Sequence, residues 1–189
     1  MRRLLVAGAL LGFCLGCTTV AKQAYYTATG PQGSVLMIMM SSPGEFARFK
    51  SLEIARFNND IPASVGQFLV TTVQDEAVKE MQKSRYFESV TAVPDFVKGK
   101  AAAPTLVLRG TILDVTSDKI PGQRLLDSNY LLAVVEVLDK ETGKVLAKAN
   151  LRGVVKSVAD SGETPLAEGM GRAVKKLFKQ LTGKPEAED

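Results

Sequence analysis

The 189-residue chain predicts an α+β fold: a mostly antiparallel sheet of about five strands with two helices packed on one face. Three patterns lead there. Two stretches repeat apolar residues at helical spacing, one pair of stretches alternates apolar and polar residues around a turn, and short β-branched runs are bounded by Pro and Gly.

The clearest helix signal is Val65, Leu69, Val73, Ala77 and Met81. These recur every fourth residue, so they form one apolar stripe, with Ser64 as cap, an end near Ser84, and Gln67, Gln74, Asp75, Lys79 and Gln82 facing out. A second stripe joins Leu166, Met170, Val174, Leu177, Phe178 and Leu181. Thr164 and Pro165 start it, and Gly183 with Pro185 stops it. Arg172, Lys175, Lys176 and Lys179 crowd its outer face, where cations complement the helix dipole.

The clearest strand signal is Tyr130 to Leu138, then Asp139-Lys140-Glu141-Thr142-Gly143, then Lys144 to Val155. This reads as a hairpin with Gly143 free to take positive φ at the bend. In the second arm Val145, Ala147, Ala149, Leu151 and Val155 alternate with Lys144, Lys148, Asn150 and Arg152, giving one covered and one wet face. Three further strands are expected over Lys50–Phe57, Phe87–Val93 and Thr105–Val115, with Asn58-Asn59-Asp60 and Pro62 breaking the first. In that first strand Leu52 and Ile54 face one side, Ala55 and Phe57 the other. Val35–Met40 reads as an edge strand ended by Ser41-Ser42-Pro43-Gly44. Its Met37-Ile38-Met39-Met40 run suits a soft binding surface or a gap-filling part of the core, and the core is the commoner use of Met.

Composition removes several functions. Apolar residues make up 46% and charged residues 23%, ordinary for a folded soluble domain. Lys plus Arg number 24 and Asp plus Glu 20, and two of the cations are Arg2 and Arg3. The rest is nearly neutral, and no nucleic-acid partner is expected. There is no histidine, which removes Ser-His pairs and most transition-metal sites. Gly99-Lys100, Gly143-Lys144 and Gly183-Lys184 lack the Ser or Thr of a P-loop, and Gly169-Met170-Gly171 sits in a helical pattern and lacks a third glycine. Asp114, Asp118 and Asp127 leave room for a Ca²⁺ site or a carboxylate pair, but their spacing matches no calcium loop and solvated loop aspartates are commoner. No catalytic, metal or cofactor residue is therefore assigned, and a non-enzyme is expected.

Two surface features are candidates for docking. The Lys144, Lys148, Arg152 stripe suits an acidic partner or an anionic glycan, though a solvated outer face is the commoner meaning. The Ser117–Ser128 segment, with Arg124, Leu125 and Leu126, is long for a hairpin connection, and its leucines equally suit the start of the next strand.

Met1-Arg2-Arg3 followed by the apolar Leu4 to Leu15 has the form of an export signal, too short to span a bilayer core of about 30 Å. Leu15-Gly16-Cys17 at its end resembles the lipobox of bacterial lipoproteins. The resemblance implies cleavage before Cys17, a diacylglycerol thioether on its sulfur, and N-acylation. Two or three acyl chains then hold the protein at a membrane. Cys14 is preceded by bulky Phe13 and does not match; the alternative is that both cysteines merely belong to a signal cut elsewhere. Thr18 after Cys17 implies, by the same resemblance, outer-membrane sorting in a Gram-negative host with the domain in the periplasm.

The expected organisation is a signal peptide over 1–16, a lipidated tether over 17–32, one α+β domain over 33–184 and a frayed acidic tail over 185–189. With Asp139 to Leu146 in the hairpin, the element order over about residues 48–182 also resembles envelope lipoproteins with a domain similar to the TolB amino-terminal module and to curli-secretion and penicillin-binding-protein activator lipoproteins. What this implies is a non-catalytic binding or accessory module for another envelope protein or a glycan, or else an oligomeric subunit of a secretion or transport assembly.

Overall fold

The structure, a computed structural model, describes residues 30–40, 43–61, 67–116, 129–155 and 163–183. The strands are β1 (Gln32–Met40), β2 (Ser51–Ala55), β3 (Asn58–Asn59), β4 (Ser89–Val93), β5 (Thr105–Thr116), β6 (Asn129–Asp139) and β7 (Val145–Val155). The helices are α1 (Gln67–Ser84) and α2 (Glu163–Thr182), with a 3-10 turn over Pro43–Arg48. The α+β expectation holds, with seven strands in one sheet rather than about five.

The sheet runs β1-β7-β6-β5-β2-β4, and β3 pairs beside β5. Four strands, β1, β7, β6 and β5, are antiparallel neighbours. The pairs β5–β2, β2–β4 and β3–β5 are parallel. The parallel part has a covalent reason: α1 connects β2 to β4, and a strand–helix–strand crossover returns the chain in the same direction. Asn58 and Asn59, expected to break the strand, instead pair with Thr111 and Ile112, so the break is a short offset into β3.

Both helices cover one sheet face. Leu69, Val73, Ala77 and Met81 of α1 are fully buried, as are Met170, Val174, Leu177 and Phe178 of α2. They meet inward residues of the central strands, among them Leu108 and Ile112 of β5 and Leu131, Val135 and Val137 of β6. Phe87 and Phe178 close one end edge-to-face, centroids 5.3 Å apart. Gly183, at φ 64°, ends α2 and donates its N–H to the Lys179 carbonyl.

Two expectations about polar side chains are corrected. Gln74 does not face out: it is 8% exposed, and its Nε2 donates to the Ile54 and Val93 carbonyls, both at 2.8 Å. A buried amide needs partners, and the C-terminal ends of β2 and β4 supply two. Arg172 and Lys176 do not simply point to solvent either. The Arg172 guanidinium donates to the Pro31 carbonyl and Lys176 Nζ to the Gly33 carbonyl, which pins the start of β1 to α2. Ser64 and Val65 lie outside the described residues.

Candidate functional site

Strand pairing across the sheet face left uncovered by the two described helices sets its chemistry. A side chain at an outward position of one strand stands beside the outward residue of its register partner. Three rows follow from the register: Ser34, Arg152, Leu132 and Asp114; Met37, Asn150, Val134 and Thr111; Met39, Lys148, Glu136 and Arg109.

The third row is an ion network. Arg109 donates to Glu136 Oε2 through Nε at 2.8 Å and Nη2 at 2.6 Å, while Lys148 Nζ lies 2.5 Å from Glu136 Oε1. Both carboxylate oxygens are thus held by cations. The Lys148 ammonium, and after it the Arg109 guanidinium, lower the Glu136 pKa below the usual carboxylate value, although partial burial opposes them. With Arg56, Asn58 and Asp95 these residues line a groove of about 420 Å³. The Phe96 ring lies 6.0 Å from the Arg109 guanidinium. Close by, the Gly99 N–H donates to the Lys140 carbonyl, so the segment after β4 reaches the β6–β7 turn, and Val107 and Leu138 of the neighbouring strands are buried.

The arrangement suits recognition of a polar ligand or partner by fixed charges. Asp114 accepts a hydrogen bond from the Tyr130 hydroxyl at 3.0 Å, and among the described residues no group of acidic or cysteine side chains is placed to hold a metal ion. Asp118 and Asp127 lie outside the described residues, as do Arg124, Leu125, Leu126 and Cys17.

The stripe of Lys144, Lys148 and Arg152 is dispersed rather than continuous. Lys148 and Arg152 share the uncovered face, but Lys144 precedes β7 and pairs with Glu45 at 3.3 Å. Arg152 stacks on the Tyr130 ring at 4.9 Å, and its buried Nε has no hydrogen-bond partner among the described residues. The Met run is also corrected. Met37, Met39 and Met40 are 51%, 58% and 38% exposed, and Leu36 is 56% exposed. The reason is position: β1 is an edge strand, with a register shift between Val35 and Met37 that throws Leu36 outward, and Ile38 alone of the run packs on the core.

Arg109 and Glu136 were not singled out by sequence reasoning. Each is a charge within an apolar run at an outward position of its strand, Arg109 between Leu108 and Ile112 and Glu136 between Val135 and Val137, and that alternation is the available signal.

No family model matches the chain, and no curated protein matches it either. Solved structures do. The PelC protein from Paraburkholderia phytofirmans, solved as a dodecamer, is 15% identical with a TM-score of 0.51, covering 82% of this chain and 100% of that one. Protein XCC0632 from Xanthomonas campestris is 14% identical, TM-score 0.45, covering 74% and 90% respectively. Lipoprotein GNA1162 from Neisseria meningitidis is 13% identical, TM-score 0.43, covering 71% and 99%. At such identity the PelC likeness establishes a shared fold and nothing about activity.

Proposed function

We propose that this chain is a lipid-anchored envelope protein whose α+β domain serves as a non-catalytic binding or accessory module. The observation that carries the reading is Leu15-Gly16-Cys17 at the end of an apolar run that follows Arg2-Arg3. Cys17 receives the lipid, and the domain faces the periplasm from the outer membrane of a Gram-negative host. The anchor confines the domain to a thin shell, where high effective concentration lets modest contacts hold a partner. The uncovered face, with its Arg109–Glu136–Lys148 network, is the surface offered to that partner, another envelope protein or a glycan. No helix of the described residues is long and apolar enough to cross a membrane.

The decisive experiment is metabolic labelling with a fatty acid in a Gram-negative host, followed by mass spectrometry of the mature amino terminus. Cys17→Ala leaves the precursor unprocessed and unlabelled, and Cys14→Ala does neither. Normal maturation of the Cys17 variant would overturn the reading.

A second reading, an oligomeric subunit of a secretion or transport assembly, is favoured by one observation: the PelC protein of the same fold was solved as a dodecamer. Light scattering of the lipidated protein in detergent separates the two. A closed ring supports the assembly and a monomer the adaptor.

A further inference from the structure

Strand β1 carries four exposed large apolar side chains, Leu36, Met37, Met39 and Met40, on the edge of the sheet. A water-facing edge strand normally bears charge; β1 bears none. Where the strand begins is fixed, because Arg172 and Lys176 of α2 hold the Pro31 and Gly33 carbonyls. The chain from Cys17 to Gly30 reaches at most about 45 Å when extended. Met39 stands roughly 25 Å along β1 from Gln32, so the whole apolar edge lies within reach of a leaflet holding a lipid on Cys17.

We propose that the β1 edge, Leu36 to Met40, rests in the headgroup layer of the leaflet that carries the Cys17 lipid. This deepens the anchor reading above and depends on it. Flexible Met and apolar Leu side chains partition into the boundary between headgroups and acyl chains, and neighbouring cations meet anionic headgroups. The charge distribution agrees. Lys148 and Arg152 flank β1 by register with Met39 and Ser34, and Arg172 and Lys176 stand at its start. Lys148 keeps half its side chain exposed while paired to Glu136. The bulge at Leu36 disfavours the rival occupant, a second copy adding a strand, because it interrupts the regular ladder in mid-strand. A fluid headgroup layer needs no register.

The test uses the mature lipidated protein in vesicles of phosphatidylethanolamine and phosphatidylglycerol. Met39→Cys, labelled with an environment-sensitive fluorophore, is compared with the same label at Val97→Cys, an exposed site outside β1. Lipid on Cys17 leaves the introduced cysteine as the sole free thiol. The Met39 label is expected to shift to the blue and to lose more than half its emission to nitroxide-bearing lipids, while the Val97 label responds to aqueous iodide alone. Vesicle-bound protein whose Met39 label responds only to iodide would overturn the proposal and leave the anchor standing. A Met39 label shielded from both quenchers would overturn it in favour of a second copy. Protein that fails to float with vesicles would remove the anchor and this proposal together.

Discussion

Gly153 of β7 and Gly169 of α2 meet backbone to backbone. A Cβ on Gly153 would lie 2.7 Å from the Met170 nitrogen and 2.8 Å from the Leu166 carbonyl oxygen, and one on Gly169 would lie 3.1 Å from the Gly153 Cα. Gly33 of β1, the register partner of Gly153, is tighter still, at 2.1 Å from the Ala173 nitrogen. The helix thus lies directly on the two strands at the β1 edge, and no side chain has room between them. Gly153→Ala and Gly33→Ala are expected to destabilise the fold by about 1–3 kcal/mol or more, as overpacking does. Gly44→Ala, with nothing near its added methyl, should be nearly neutral. Urea denaturation of the three variants checks this, and equal midpoints would contradict it.

Gln74 ties the ends of β2 and β4 to α1. Gln74→Leu keeps the volume but removes both N–H donors: the buried Ile54 carbonyl loses the Gln74 bond, while the Val93 carbonyl keeps the Arg56 amide at 3.1 Å. A loss of about 1–3 kcal/mol is expected. Gln82 supplies a single bond of 3.1 Å to the Val90 carbonyl at a less buried place, so Gln82→Leu should cost less. The ranking is read from chemical denaturation midpoints.

Asp139 organises the β6–β7 turn. Its Oδ1 accepts from the Glu141 and Thr142 amides at 2.9 and 3.2 Å, and its Oδ2 accepts from Arg48 Nη2 at 2.8 Å. Arg48 is 60% exposed, so the ion pair contributes about 0–1 kcal/mol, and the turn amides are the larger contribution. Asp139→Asn keeps an acceptor for those amides and should lose less than about 1 kcal/mol, whereas Asp139→Ala should lose more. If the two variants melt together, the turn bonds carry no weight.

Legibility followed the physics of each element. The α2 stripe was plain because one buried face recurs with the helical period, and the β6–β7 hairpin because alternation and turn residues agree. The parallel placement of β2, β4 and β5 was not, since alternation records which face is covered and not which strand lies alongside. Phe46 and Phe49 are buried, yet the short 3-10 turn before β2 has too few residues to show a period. Gln74 reads as outward because its type is polar, whereas the carbonyls that accept it belong to strands outside its own helix. The Glu136 network depends on the register of three strands, two of them offset by irregularities, and no local pattern sets that.

That network makes a pH-dependent claim. The Lys148 hydrogen bond, reinforced by Arg109, lowers the Glu136 pKa in the folded state against the opposing effect of burial. The unfolded chain retains an ordinary glutamate value of about 4.3. A carboxylate with a depressed folded pKa contributes stability that is fully present above the unfolded value and is lost as pH falls through the folded one. Glu136→Gln removes the charge at every pH. The variant should therefore be less stable than the parent at neutral pH, and the gap should narrow as acid protonates Glu136 in the parent. Other carboxylates titrate alike in both proteins, so the difference isolates this one. Salt should narrow the gap as well, because Arg109 and Lys148 are nearly half exposed. Urea denaturation in a pH series from neutral to well below 4 reads the gap directly, and parallel curves for parent and variant would show that the cations leave the carboxylate unperturbed.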